Sequence, residues 1–126
     1  MNSICIFGVF VADLCFFGNK IPVKGETILG NNHIVGPGGK GSNQAIAAAR
    51  LNGNVHFITK VGNDNHADMA FSLYKEAGVN VDCIIRDPSL STGVAGIMID
   101  ENGNNAINVF AGAAVHLKNE DIDKNL

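Results

Sequence analysis

The sequence predicts an α/β fold built on a mainly parallel sheet. Three observations point there. Segments of strand and helix character alternate along residues 4–77. The first of them is an apolar run with a single glycine in it, as expected of a central strand covered on both faces. Further on, an Asn-Gly pair between two apolar segments marks a separate antiparallel hairpin.

The run is Ile4 to Val11, interrupted only by Gly8, and reads as one strand. Leu14 to Phe17 and Ile28 to Val35 read as two further extended segments, separated by the turn-rich stretch Pro22 to Thr27. A helix is expected over Ser42 to Leu51, whose alanines at 45, 47, 48 and 49 favour helix and allow close approach to a sheet. Asn52-Gly53 should end it, since both residues tolerate the left-handed conformation. Val55 to Gly62 is the next strand. A second helix follows, with Asp64 as its cap, Met69, Leu73 and Ala77 at helical spacing, and Gly78 as its stop.

Thr92 to Ile99 and Asn105 to Phe110 then flank Asp100-Glu101-Asn102-Gly103 as the two arms of the hairpin. Both faces of it are apolar, with Ala95, Ile97 and Ile99 on one, Val94 and Met98 on the other, and Phe110 at the far end. Such a ribbon is unstable alone and needs cover. It is expected to cover a site on one side and to meet Phe16-Phe17 or another subunit on the other, or simply to pack into its own core. Lys118 to Ile122 resembles the start of another helix.

Gly36-Pro37-Gly38-Gly39-Lys40-Gly41-Ser42-Asn43 feeds directly into the first helix. Glycines let main-chain N–H groups approach a ligand, and the free donors of a helix N-terminus point at whatever sits there. The turn is not a phosphate-binding Walker loop: Gly41 stands where a hydroxyl should hold magnesium, and Ile34 where the first glycine should be. It suits uncharged hydroxyls instead, with Asn43 as donor and acceptor. Glycines that merely permit close packing are the alternative. Asp13, placed by this reading at the end of the first strand, could accept hydrogen bonds from two neighbouring sugar hydroxyls, each worth roughly 1.5–3 kcal/mol. It could equally close the strand as an Asx turn.

Composition excludes several classes. A formal net charge of −3, with nine scattered Lys and Arg, leaves no electrostatic footprint for nucleic acid or an anionic membrane. Cys5, Cys15 and Cys83 fall in no disulfide or zinc pattern, and His33, His56, His66 and His116 at no ligand spacing, so no metal site is expected. The apolar start has no basic flank and meets Asp13 early, so it is not read as a signal peptide, and the expected compartment is the cytoplasm.

Taken together, a set of short motifs resembles a family. Gly8 with Asp13, Pro22-x-x-Gly25-Glu26-Thr27, Gly38 to Ala45, Gly62-x-Asp64, Ser91-Thr92-Gly93-Val94-Ala95 and Ala111-Gly112-Ala113 stand in the order of the N-terminal portion of a ribokinase, a PfkB carbohydrate kinase. The resemblance implies a three-layer α/β/α fold with a small β lid, residues 1–126 being the N-terminal part of one kinase domain and the lid segments lying at about 14–35 and 92–110. It implies ATP-dependent phosphorylation of a sugar hydroxymethyl group, with a sugar or nucleoside as substrate. Asp13, Gly39, Lys40, Gly41 and Asn43 would hold it, and Ala95, Ile97 and Phe110 would face it from the lid. It further implies ATP and Mg2+, a monovalent cation as a further candidate, and a homodimer clasped through the lid.

Three departures qualify the resemblance. Val11 stands where ribokinases often place an Asn, which puts ribose in question. Asn52 replaces a glycine, a change that a helix C-cap absorbs. The Gly-Ala-Gly-Asp motif that supplies the family's catalytic base and anion hole does not occur in these 126 residues, so the chain alone is expected to be inactive and to hold neither catalytic nor nucleotide-binding residues. A non-catalytic sugar-binding or dimerisation module ending at Leu126 is the alternative. A nucleotide-binding regulatory domain ranks below it.

Overall fold

The structure, a computed structural model, describes residues 2–125. Leu126, where the alternative module would end, lies outside them. Two sheets share one chain. The first is fully parallel, in the order β1 (Ser3–Phe7), β4 (Asn54–Val61), β5 (Ile84–Arg86). The second has four strands in the order β3 (Asn32–Gly38), β2 (Val11–Phe17), β6 (Thr92–Ile99), β7 (Asn105–Gly112). Its central pair, β2 and β6, is parallel and its outer pairs are antiparallel. The outer strands are what the hairpin and the glycine turn contribute.

Helix α1 (Lys40–Arg50) and helix α2 (Asn65–Ala77) pack on the parallel sheet. The core between them holds Phe10, Ala45, Ala49, Val55, Phe57, Val61, Ala70 and Tyr74. Tyr74 meets Phe57 and Phe10 edge-on, at centroid distances of 5.4 and 6.0 Å. Each such pair contributes about 0.5–1.5 kcal/mol beyond area burial. A 3-10 turn (Ala113–His116) and a short α3 (Asn119–Asp123) follow β7. The buried Lys60 ammonium on β4 anchors them, 3.0 Å from the Asp121 carboxylate and 3.1 Å from the His116 carbonyl.

The cap signals act as their chemistry dictates. Asp64 caps α2 by accepting the Ala67 N–H at 3.0 Å, and Gly78 ends it at φ 90°. Asn52, at φ 65°, takes the left-handed position after α1.

Several sequence expectations shift. The run Ile4 to Val11 is not one strand: it divides into the end of β1 and the start of β2, in different sheets. Between them Gly8 crosses α1, so close that a Cβ on it would lie 2.9 Å from the Gly41 Cα, and Phe10 drops fully into the core. Nor is β1 covered on both faces, since Ser3, Ile4, Cys5 and Phe7 are exposed among the described residues. Extended structure after the turn-rich stretch begins at Asn32 rather than Ile28 and runs on through Pro37, which an edge strand tolerates. Helix α1 starts two residues earlier than expected. The hairpin meets Phe16 and Phe17 side by side within one sheet, Phe16 beside Met98 and Phe17 beside Ile99.

Candidate functional site

The chain leaves the parallel sheet at Gly8, enters the second sheet at Val11, turns at its far end, and returns along β3 into the N-terminus of α1. That route brings both ends of the loop to one place. A cavity of about 620 Å³ opens there, lined by Val11 and Asp13 of β2, by Gly39, Lys40, Gly41 and Asn43 at the start of α1, by Ala95 and Ile97 of β6, and by Ile107 and Val109 of β7. Gly8 and Val9 complete its floor.

Asp13 belongs to β2 and pairs with Gly36 on one side and Ala95 on the other. It is therefore mid-ladder, which removes the Asx-turn reading. Its carboxylate takes part in no hydrogen bond or ion pair among the described residues, and burial raises its pKa above the ordinary carboxylate value. A partly desolvated acceptor without a partner is poised to take donors from a ligand.

The glycines are shaped by this carboxylate and by the chain crossing. A Cβ on Gly38 would fall on the Asp13 carboxylate. Gly39 is the N-cap of α1 at φ 98°, and a Cβ there would fall on the Val9 carbonyl. Glycine is required at Gly39, and any side chain at Gly38 would have to displace the Asp13 carboxylate. No side chain among the described residues caps α1, so its first N–H groups lack a side-chain partner there, as a donor site for ligand oxygens requires. Lys40 and Asn43 are exposed at the same end. Behind them the helix start is fixed from the core, where the buried Ser42 hydroxyl lies 2.6 Å from the Tyr74 hydroxyl. Burial drives the Tyr74 pKa well above the usual phenol value, so the pair stays neutral.

Of the eight residues singled out in the sequence, Asp13, Gly39, Lys40, Gly41, Asn43, Ala95 and Ile97 converge on the cavity. Phe110 does not. It pairs with Val94, whereas Val109 pairs with Ala95 and Ile107 with Ile97, so strand alternation puts Phe110 on the opposite face. Val9, Ile107 and Val109 are the lining residues that sequence reasoning missed. For the last two the signal was there: pairing the hairpin arms outward from Asp100-Gly103 gives their parity.

The root of β6 is built from two of the quoted motifs. The Asp64 carboxylate accepts the Thr92 N–H at 2.9 Å and the Thr92 hydroxyl at 2.7 Å, and that hydroxyl accepts the Gly62 N–H at 2.9 Å. Burial raises the Asp64 pKa, but the hydrogen bonds from Thr92 and Ala67 outweigh it and the net direction is down.

Among the described residues no group of three His, Cys, Asp or Glu is placed to hold a metal ion, and the glycine turn presents Gly41 where a phosphate loop carries its hydroxyl. No helix among them is long and apolar enough to cross a membrane.

Comparison with known proteins agrees with this architecture. The model of the pfkB family carbohydrate kinases matches residues 1–126. A deoxyribokinase of Salmonella typhi is 40% identical over 97% of this chain and 40% of its own length. The crystal structure of a ribokinase from Thermotoga maritima superposes with a TM-score of 0.88 at 36% identity, over 99% of this chain and 41% of that one. A ribokinase from Arabidopsis thaliana, solved with ribose and ATP, superposes at 0.78 and 30% identity, over 88% of this chain and 36% of its own. The chain thus spans about 40% of the length of that Salmonella relative.

Proposed function

The chain belongs to the pfkB family of carbohydrate kinases, and from that premise we propose that it supplies the sugar-binding and lid part of an enzyme that moves the γ-phosphoryl group of ATP to a sugar hydroxymethyl group. One observation carries the reading. An unpartnered carboxylate, Asp13, and the uncapped start of α1 line the same cavity, and the hairpin β6–β7 walls it.

Each residue has a role in that arrangement. The ionised Asp13 accepts hydrogen bonds from two neighbouring hydroxyls. The N–H groups behind Gly39 and Gly41 donate to sugar oxygens, Asn43 does both, and Lys40 adds a positive charge at the rim. Ala95, Ile97, Ile107 and Val109 cover the apolar face of the ring. Closure of the four-stranded sheet as a lid over the cavity excludes water from the acceptor hydroxyl. The relatives' names, deoxyribokinase and ribokinase, make the two pentoses the first candidates. ATP as donor is supported by the Arabidopsis ribokinase solved with it. The catalytic base, the anion hole and the Mg2+ site are assigned to residues outside these 126, so the chain alone gives no turnover.

A homodimer through the lid belongs to the same reading. Phe16, Val35 and Phe110 are 42, 43 and 60% exposed and lie on the sheet face away from Asp13. An apolar face of that kind suits a second copy. Sedimentation should show a dimer that Phe110→Glu dissociates.

The binding claim is tested by melting the 126-residue chain with pentoses, hexoses and ATP. A pentose should raise the melting temperature, and ATP alone should not. If no sugar does so, or ATP does as much, the reading falls. The kinase claim is tested in a chimera that joins these residues to the remaining portion of the Thermotoga ribokinase. It should form ADP only when sugar is present, and Asp13→Ala should abolish it.

A further inference from the structure

Resting on the sugar-site reading above, we infer that Tyr74, which does not line the cavity, is a positioning residue for it: its hydroxyl holds Ser42 and so aims the N–H donors at the start of α1 toward the sugar. The Asn43 N–H closes the first helical turn on the Gly39 carbonyl at 2.9 Å. The N–H groups of Lys40, Gly41 and Ser42 precede that bond and are the ones a ligand can take. Ser42 therefore has two tasks. Its main-chain N–H stands among those donors, while its side chain is fully buried with its hydroxyl 2.6 Å from that of Tyr74.

Tyr74 has the rigidity that the role needs. It sits on α2, is fully buried, and meets Phe57 and Phe10 edge-on. Phe10 immediately precedes β2, the strand that carries Asp13. One side chain thus touches the approach to the acceptor carboxylate through its ring and the donor side of the cavity through its hydroxyl. From the direction of Gly8 the helix start can come no closer, since a Cβ on Gly41 would lie 2.9 Å from the Gly8 Cα. Among the described residues the bond to Tyr74 is the only side-chain hydrogen bond in the first turn of α1. Its loss would leave the donors to be ordered anew each time a sugar binds, at a cost in affinity.

The test titrates the 126-residue chain with D-ribose and 2-deoxy-D-ribose, following chemical shifts by NMR, in the wild type, Tyr74→Phe, Ser42→Ala and the double variant, and measures the stability of each in urea. Tyr74→Phe keeps the ring and loses only the hydroxyl. It should weaken binding of the pentose that the wild type takes by about three- to tenfold, and Ser42→Ala, which carries the test if Tyr74→Phe does not fold, by a similar factor. In the double variant stability should partly recover, because no buried hydroxyl is orphaned, while affinity should not. Ile84→Val, in the same core but on β5 at the edge of the parallel sheet, controls for instability alone and should bind as the wild type does. Unchanged affinity in a folded single variant, an equal loss in Ile84→Val, or affinity that returns with stability in the double variant overturns the inference and leaves the sugar site standing. Binding of neither pentose by the wild type overturns the site and the inference with it.

Discussion

The Asp64 carboxylate holds Thr92 by both its N–H and its hydroxyl, at 2.9 and 2.7 Å, and so joins the N-terminus of α2 to the first residue of β6. Gly62, Asp64 and Thr92 thus form one knot where the second sheet leaves the parallel one. Asp64→Ala loses a helix cap and two further hydrogen bonds to a charged acceptor, and should destabilise the chain by roughly 2–4 kcal/mol in urea unfolding. Asp64 has a lowered pKa in the folded state, so its contribution is present above the unfolded carboxylate value and is lost as pH falls through the folded one. The stability gap between wild type and Asp64→Asn should therefore close below about pH 4. A gap that persists in acid would show that the charge is not what matters.

Asp13 has the opposite sign. Burial raises its pKa, so its contribution to stability is fully present below the unfolded value and is lost as pH rises through the folded value. Asp13→Asn should raise the melting temperature of the free chain at neutral pH while weakening sugar binding by about ten- to a hundredfold, the loss of one charge-assisted hydrogen bond. A variant that is both less stable and an unimpaired binder contradicts the role given to this carboxylate.

Tyr74→Phe removes the partner of the buried Ser42 hydroxyl. The cost should be about 1–3 kcal/mol. Adding Ser42→Ala should restore part of it, because the orphaned hydroxyl is then gone. A double-mutant cycle by chemical denaturation reads this directly; strict additivity would mean that the pair is not coupled.

The Thr59 hydroxyl is fully buried in β4 and has no hydrogen-bond partner among the described residues. Thr59→Val keeps the shape and removes the stranded oxygen, and should be neutral or stabilise by up to about 1–2 kcal/mol. A loss of more than about 1 kcal/mol in thermal unfolding would reveal a partner that the hydroxyl does have.

Much of this was legible because it is local. The Asp64 and Gly78 caps, the left-handed Asn52 and the Asp100-Gly103 hairpin all declare themselves within a few residues. The glycine turn was legible for the same reason, and Gly38, Gly39 and Gly41, though not Gly36, answer to close contacts that a Cβ would meet. What escaped was long-range or depended on parity. An apolar run looks the same whether it continues in one sheet or passes between two, so the break at Gly8 was hidden. Nothing in Asp64 or Thr92 alone announces that they touch across 28 positions. Phe110 drew attention by its size, yet its register with Val94 turns it away from the cavity.

The parallel pairing of β2 with β6 sets Asp13 beside Ala95, residues far apart along this chain. Contacts of such separation form slowly, because a long loop must close before any of them is rewarded. A polypeptide emerging from the ribosome can pack α1, β4 and α2 around Tyr74 long before β6 exists. The cavity at Asp13, by contrast, cannot be assembled until the last arm of the hairpin is made, so during synthesis the chain carries Asp13 and its apolar neighbours unsheltered, and that interval is when it is most prone to aggregate.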